Sequence, residues 1–164
     1  MPKASVKRLI ECKKKDLIDL VLDIEKYPEF VPFCFGAKIY ENKNEGDLTK
    51  IIADLTIGKG PFKDTYKSDV VFDRKKDSIF VKNIEGPLNH LSNNWIFVNK
   101  ENGITEVTFE IDFETKNKFL NSLMIVSFQF GLEKIADAFQ NRAEQLFSSS
   151  KKYISGFFYS SFLY

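Results

Sequence analysis

Histidine and cysteine are scarce in this sequence, which limits the metal sites and the covalent chemistry that it can support. His90 is the only histidine among 164 residues, and we expect it to be a polar residue at the start of a strand. Cys12 and Cys34 are the only cysteines, and their spacing fits neither a CxxC zinc pair nor a disulfide framework. The sequence therefore predicts a reduced protein with no metal site and no cofactor.

A secretory signal and an excess of one charge are also lacking. The first residues, MPKASVKRLIE, contain no apolar segment after a basic one, which predicts a cytoplasmic protein. Lys and Arg number 24 against 23 Asp and Glu, a net charge of +1. Proteins that bind nucleic acid through its phosphates usually carry an excess of basic residues. DNA binding is therefore not expected, and electrostatic RNA binding has little support.

What the sequence does have is phenylalanine, 17 residues of it, and a long helical pattern near its C-terminus. The stretch 117–147 contains no proline, and Leu120, Met124 and Phe128 recur at helical spacing. From 119 to 132 it carries no charge, but these 14 residues fall short of the roughly 20 that span a bilayer. A helix that is apolar all round must be covered by its own protein, a ligand, a partner or lipid.

The rest of the chain predicts one strand, one helix from Lys14 to Glu25 and a meander of about six strands. In the clearest strand, Val107–Phe113, apolar residues alternate with polar ones, so one face is buried. A curved sheet with one apolar face needs a cover, and the last helix is the only element long enough. The fold class is therefore α+β helix-grip, a curved antiparallel sheet wrapped around a long C-terminal helix with an apolar cavity. The predicted strands are 4–10, 38–41, 48–57, 62–72, 78–84, 91–98 and 107–113, with a turn at 42–47.

No group stands out as a catalyst. Glu110, Asp112 and Glu114 alternate along one strand and are expected to be solvated on its outer face. Cys34 is expected to be a small apolar filler, since no base is near it in the sequence. Trp95 either belongs to the core or stacks on the ring of a bound ligand. The sequence predicts a binding protein and not an enzyme.

Two segments and one strand face allow more than one interpretation. The segment Tyr27–Gly36 is either a loop packed on the core, or a lid or mouth for an apolar ligand, or a surface that touches lipid. Asp64 and Ser68 share the face of Tyr66, which indicates either a wet strand end or a cavity with polar anchors. The tail 148–164 is a disordered or non-native end, an interfacial anchor, or a segment that pairs with another copy. The predicted domain is 1–147.

Four motifs resemble the ubiquinone-binding START-domain family, which lies within the polyketide cyclase-like superfamily. They are YPEFVPFC at Tyr27–Cys34, a Gly86-Pro87 pair that leads to Trp95-Ile96-Phe97, Phe109 through Leu120 in the pattern FxxDFExxNxxL, and AFQNRA at Ala138–Ala143. The family includes coenzyme Q-binding proteins and bacterial ribosome-association toxins. The resemblance covers about residues 1–147.

The resemblance implies a START-like fold and a hydrophobic tunnel for ubiquinone or a similar polyprenyl lipid. It also implies a role in respiration or quinone biosynthesis without catalysis, at the cytoplasmic face of the membrane as a peripheral protein. The alternative that it implies is a regulator that binds the large ribosomal subunit and blocks subunit joining. Against that alternative, Leu88, Asn89 and His90 stand where relatives often have Phe and Lys.

The expected ligand site combines a gate, cavity walls and a roof from the last helix. The gate is Phe30, Val31, Pro32 and Phe33; the walls are Leu55, Ile57, Phe62, Tyr66, Trp95, Phe109, Ile111 and Phe113; the roof is Met124, Phe128 and Ile135.

Overall fold

The structure, a computed structural model, describes residues 3–59, 61–86, 90–114 and 118–147, without the side chains of Lys59, Phe62 and 118–128. Seven strands, two α-helices and two short 3₁₀ helices make up the described chain. In chain order they are β1 (Lys3–Ile10), α1 (Lys14–Leu22), a 3₁₀ helix (Ile24–Glu29), β2 (Cys34–Glu45), β3 (Leu48–Lys59), β4 (Phe62–Asp73), β5 (Ser78–Glu85), β6 (His90–Asn99), a 3₁₀ helix (Glu101–Gly103), β7 (Thr105–Glu114) and α2 (Lys118–Phe147).

All seven strands form one antiparallel sheet in the order β1-β7-β6-β5-β4-β3-β2. The meander β2–β7 places consecutive strands side by side, and β1 then joins the free edge of β7. Helix α2 packs against β1 and α1. The predicted α+β helix-grip fold is confirmed.

Alternation of apolar and polar residues determines which face of the sheet is buried. In β7, Thr105, Val107 and Phe109 are buried, whereas Glu106 and Thr108 are partly exposed between them. Because side chains on a strand point alternately to opposite faces, this pattern turns one face of the sheet toward α2 and the other toward solvent.

The core lies between this inner face and the second half of α2. Trp95 and Phe109 stack with ring centroids 4.1 Å apart, and Phe139 of α2 meets Trp95 edge-on at 5.0 Å. Polar contacts fix the same helix to the edge strand, since Arg8 Nη1 lies 2.7 Å from Asp137 Oδ1. The second half of α2 is therefore held both by aromatic packing and by β1.

Helix α1 and strand β2 differ most from the sequence-based prediction. Helix α1 ends at Leu22 and not at Glu25, and a 3₁₀ helix continues from Ile24 through Pro28 to Glu29. Strand β2 runs through most of the predicted 42–47 turn, which shrinks to a tight hairpin at Gly46 and Asp47. Gly46 adopts φ 62°, a conformation that glycine accommodates without a steric penalty.

Two further predictions concern the C-terminal part of the chain. The tail 148–164 lies outside the described residues, and the domain 1–147 stays a prediction. Within the part of the chain that the structure describes, no helix has the length and hydropathy required to cross a bilayer.

Candidate functional site

A cavity of about 470 Å³ lies between the inner face of the sheet, helix α2 and the segment that joins α1 to β2. This volume falls within the roughly 300–1,000 Å³ of small-molecule sites. None of its described lining residues carries a formal charge. The strands contribute Cys34, Ala53, Leu55, Ile57, Gly58, Tyr66, Ser68, Val70, Ile79, Val81, Leu91, Asn93, Trp95, Phe109 and Ile111, and the helices and joining segment contribute Val21, Ile24, Tyr27, Val31, Pro32, Phe33, Gly131, Leu132, Ile135 and Phe139.

Burial along β3 shows which end of the cavity is open. Ile51 and Ala53 are each 1% exposed, Leu55 is partly buried, and Ile57 is 36% exposed. Strand β4 shows the same gradient from its buried middle to its exposed start. The open end therefore lies at the β3–β4 hairpin, and the closed end lies toward the middle of both strands.

The rim of the open end carries Val31, Pro32 and Phe33. Phe33 adopts φ 68°, in the left-handed region that a bulky side chain rarely occupies. Its carbonyl oxygen accepts a hydrogen bond from Gly58 N at 3.0 Å, which ties the rim to the hairpin. This backbone conformation, held by the hairpin, places an aromatic residue at the opening.

Packing at the closed end is tight. Ile79 is completely buried, Val70 is 4% exposed, and the stacked pair of Trp95 and Phe109 forms the adjoining wall. A ligand that reached this end would meet aromatic rings on one side and aliphatic side chains on the other.

Five side chains of this lining carry a hydroxyl, thiol or amide group, and two of these groups are engaged with the backbone. The Tyr27 hydroxyl donates to the carbonyl of Val21, and Cys34 Sγ lies 3.5 Å from the carbonyl oxygen of Gly36. Burial raises the pKa of the Cys34 thiol, so the thiol stays protonated and is a poor nucleophile. The three other polar residues are Tyr66, Ser68 and Asn93.

Tyr66 is positioned by Gly86, which directly follows the neighbouring strand β5. A Cβ atom at Gly86 would lie 2.7 Å from Tyr66 Cδ1, closer than carbon atoms can approach, so only glycine leaves room for the ring. Burial, together with the charge of Asp64, raises the pKa of Tyr66. The phenol is therefore neutral at physiological pH and available as a hydrogen-bond donor.

The structure brings most of the predicted site residues together around the cavity. Phe30 lies outside the lining because its ring packs edge-on against Tyr27 and Phe139, at 6.1 and 5.1 Å. Phe113 is 1% exposed and is not among the lining residues. The side chains of Phe62, Met124 and Phe128 lie outside the described residues. In the lining are Val31, Pro32, Phe33, Leu55, Ile57, Tyr66, Trp95, Phe109, Ile111 and Ile135.

Asn93 and Leu91 are lining residues that the predicted site omits. Both are in phase with Trp95 and Phe97 on β6, so the alternation that placed Trp95 inside would have placed them there too. Ser68 was recognised only as one of two polar residues on the face of Tyr66. Strand phase is therefore a sufficient signal for all three residues.

The carboxylates of β7 lie on the opposite face of the sheet from the cavity. Glu110 is exposed, and Asp112 Oδ1 lies 3.9 Å from His90 Nε2. Among the residues that the structure describes, no group of three His, Cys, Asp or Glu side chains is placed to hold a metal ion.

The sequence model of one protein family matches residues 12–140 of this chain, most of its length. The chain belongs to the polyketide cyclase / dehydrase and lipid transport family. The predicted membership of the polyketide cyclase-like superfamily is thereby confirmed.

Two curated relatives illustrate the range of the family. The chain is 31% identical over 142 residues to the ribosome association toxin RatA of Rickettsia prowazekii, covering 85% of this chain and 94% of the relative. It is 30% identical over 138 residues to the mitochondrial coenzyme Q-binding protein COQ10 of Dictyostelium discoideum, covering 82% of this chain and 65% of that protein.

Similar solved structures support the fold assignment. An 18 kDa protein from Caulobacter crescentus is 27% identical, with a TM-score of 0.74 over 89% of this chain and 98% of its own. A START superfamily protein from Mycobacterium smegmatis has a TM-score of 0.77 at 20% identity, covering 88% and 98%. The Zhui aromatase/cyclase of a Streptomyces species has a TM-score of 0.75 at 14% identity, covering 87% and 93%. At these lower identities the likeness concerns the fold alone.

Proposed function

We propose that this protein is a non-catalytic binding protein for ubiquinone or a similar hydrophobic polyprenyl lipid, in support of respiration or quinone biosynthesis. The observation that carries the proposal is the cavity of about 470 Å³, whose lining is apolar except for a few uncharged polar groups. Removing apolar ligand surface from water contributes about 25 cal/mol per Å². The relative named as a coenzyme Q-binding protein supports this choice of ligand.

The cavity would hold the ring of such a ligand with the beginning of its tail. A site of this volume suits a drug-sized molecule, whereas a long polyprenyl chain is considerably larger. The remainder of the tail would leave through the opening at the β3–β4 hairpin. That arrangement suits a protein that takes lipid from a membrane and returns it.

The lining is poorly suited to catalysis. It contains no Asp, Glu, His or Lys among its described residues, so a general acid or base would have to come from a tyrosine or a thiol. Burial raises the pKa of Tyr66 and of Cys34, which keeps both groups protonated. Binding without turnover is the function that these groups support.

Contact with a membrane surface belongs to the same proposal. Ile57 is 36% exposed at the open end, and Phe35, which follows the rim segment, is 51% exposed. Lys63 Nζ lies 3.9 Å above the Phe35 ring, so a cation accompanies the apolar surface. Apolar residues beside lysine suit the headgroup region of a bilayer that contains anionic lipid. The protein would act as a peripheral protein on the cytoplasmic face.

A matched pair of lysine substitutions on β3 tests the proposed function. Leu55→Lys places an ammonium group inside the cavity, whereas Thr56→Lys places the same group on the outer face of the same strand. Because an unpaired charge is costly in an apolar site, we expect Leu55→Lys to remove quinone from the purified protein. Thr56→Lys should retain it, as measured by solvent extraction and mass spectrometry.

Circular dichroism and thermal unfolding serve as the control for folding of both variants. A folded Leu55→Lys protein that still carries quinone at the wild-type ratio would disprove the cavity as the binding site. Wild-type protein from which neither quinone nor another apolar lipid can be extracted would count against the function itself.

A second candidate function, binding to the large ribosomal subunit, is favoured by one observation. The relative that is 31% identical over 85% of this chain is named a ribosome association toxin. The two functions make opposite predictions about salt, which are developed in the Discussion.

A further inference from the structure

The closed half of the cavity contains a serine in largely apolar surroundings. Ser68 is 5% exposed and lines the cavity between Tyr66 and Val70 on β4. Most of the residues around it in this lining are apolar. A hydroxyl that faces an apolar cavity is costly unless something in the cavity bonds to it, so a serine at this position requires an explanation.

Asn93 presents a second polar group to the same space, and its orientation is fixed. Trp95 Nε1 donates a hydrogen bond to Asn93 Oδ1 at 3.2 Å. The indole nitrogen is a donor only, so the amide must offer its oxygen to the tryptophan. The amide NH₂ group is therefore left as a pair of donors on a residue that lines the cavity.

The two groups stand apart, at a depth that only an inserted ligand reaches. Ser68 is four residues along β4 from the exposed Asp64, which corresponds to about 13 Å at the rise of a β-strand. Strands β4 and β6 are two positions apart in the sheet, and through Val81 the register places Asn93 level with Val70, so the backbones of Ser68 and Asn93 are separated by roughly 12 Å. One ligand atom cannot satisfy both residues, whereas two oxygens on opposite sides of a ring can.

We infer that Ser68 and Asn93 are the specificity-determining residues of the cavity and hold the ring of a quinone by donating hydrogen bonds to its two carbonyl oxygens. The inference rests on the proposed function. It adds the class of the ligand and its orientation in the cavity, with the ring inward and the tail outward. The NH₂ of Asn93 can donate a hydrogen bond to a quinone carbonyl, whereas a hydrocarbon offers it no acceptor. The stacked rings of Trp95 and Phe109 form the wall beside the expected ring position.

Two substitutions remove these donors with little change of shape. Ser68→Ala deletes the hydroxyl, and Asn93→Asp keeps the oxygen that Trp95 binds while replacing the NH₂ donor by an acceptor. Thr65→Ala is the matched control, since it deletes a hydroxyl from the outer face of the same strand, where Thr65 Oγ1 bonds Thr56 Oγ1 at 2.9 Å.

The test compares affinities for two probes, a short-chain ubiquinone analogue and an alkylbenzene with the same tail. We expect Ser68→Ala to weaken quinone binding about 5- to 10-fold, and Asn93→Asp at least 10-fold, since each removes a hydrogen bond in an apolar site. Binding of the alkylbenzene should change less than about twofold in Ser68→Ala, and Thr65→Ala should leave both affinities unchanged.

Thermal unfolding of the ligand-free protein supplies an independent measurement. Because Ser68→Ala leaves a methyl group in the apolar wall of the cavity, we expect its Tm not to fall although its quinone affinity does. A residue that merely supported the fold would lower both quantities.

The possible failures are distinguishable. Equal weakening of both probes in Ser68→Ala, or no weakening of the quinone in either variant, would overturn the inference and leave the cavity as a non-selective apolar site. Wild-type protein that binds the alkylbenzene but not the quinone would overturn the inference and the choice of ligand. Wild-type protein that binds neither probe would overturn the proposed function together with the inference.

Discussion

Cys12 is a residue whose ionisation is coupled to folding. It is 3% exposed between β1 and α1, and its carbonyl oxygen accepts a hydrogen bond from Thr105 Oγ1 at 2.8 Å. Burial, with smaller contributions from Glu144, Asp16 and Glu11, raises the pKa of the Cys12 thiol from 9.0 to about 11. The folded protein therefore holds this proton more tightly than the unfolded chain does.

Stability should consequently depend on pH in a defined window. Between about pH 9 and 11 the unfolded chain releases the Cys12 proton while the folded protein retains it, so the free energy of unfolding falls as pH rises. Below pH 9 both states are protonated and this contribution is constant. We expect Cys12→Ala to show a shallower loss of stability than the wild type across this window, measured by urea unfolding at several pH values. Parallel curves for the two proteins would contradict the assignment.

At the scale of the element, the segment between α1 and β2 combines rigidity with strain. Pro28 lies inside its 3₁₀ helix, and Val31 N donates to the carbonyl of Tyr27 at 2.8 Å. Phe33 then adopts its left-handed conformation immediately before β2. A non-glycine residue in this region costs about 1–2 kcal/mol, and such strain tends to persist where it has a function.

Two substitutions at Phe33 separate the role of its ring from the energetic cost of its left-handed backbone conformation. Phe33→Gly removes the ring and the strain, whereas Phe33→Ala removes the ring only. We expect Phe33→Gly to be about 1 kcal/mol more stable than Phe33→Ala. If the ring covers the opening, both variants should release a bound quinone analogue faster than the wild type, as measured by stopped-flow displacement. Wild-type release rates in both variants would mean that Phe33 does not act as a gate.

The elements also differ in how well they could be predicted from the sequence. Strands β3 and β7 were predictable because burial of one face imposes a strict alternation, and the long helix was predictable from its apolar spacing. The extension of β2 was not, because its outer half is exposed on both faces and carries the polar composition of a turn. The left-handed Phe33 was not either, since nothing in the sequence distinguishes it from the neighbouring Phe30.

For the candidate site, the alternation of apolar and polar residues along the strands predicted the residues of the cavity walls but not which residues form the rim. Phe30 and Phe33 are both apolar residues on a Pro-stiffened segment, and only the tertiary packing turns Phe30 toward Phe139 and Phe33 toward the opening. The position of the cavity follows from the sheet, whereas its polar anchors depend on which strand positions leave a side chain without a partner. That distinction is a property of the assembled structure.

At the scale of the whole molecule, the distribution of charge bears on the choice between the two candidate functions. The net charge is +1, and several cations are already engaged. Lys14 Nζ lies 2.7 Å from Asp77 Oδ2, and Lys38 and Lys67 lie 5.0 and 5.1 Å from the centre of the Tyr40 ring. These three lysines are therefore less available to a phosphate backbone.

Salt dependence separates the two functions. Binding to ribosomal RNA should weaken steeply with salt because phosphate contacts release counterions, whereas capture of an apolar quinone should be unchanged or slightly strengthened. We expect affinity for a ubiquinone analogue to change less than about twofold between low and high salt. Subunit joining should be unaffected at the same protein concentration.

The measurements are ligand binding by fluorescence and co-sedimentation with the large ribosomal subunit. Saturable, salt-sensitive co-sedimentation together with no detectable quinone binding would make the ribosomal function the better one.

The absence of charge from the described cavity lining has a consequence for competition within a membrane. Phospholipid greatly outnumbers any minor lipid, so a purely apolar cavity would be occupied by phospholipid acyl chains at equilibrium. Here an acyl chain would leave Ser68 and Asn93 facing hydrocarbon, and a phosphate headgroup would bring in a charge that no lining cation offsets. Phospholipid binding is therefore unfavourable whether its acyl chain or its headgroup enters the cavity. Occupancy by a scarce lipid is then decided by what the pocket rejects as much as by what it attracts.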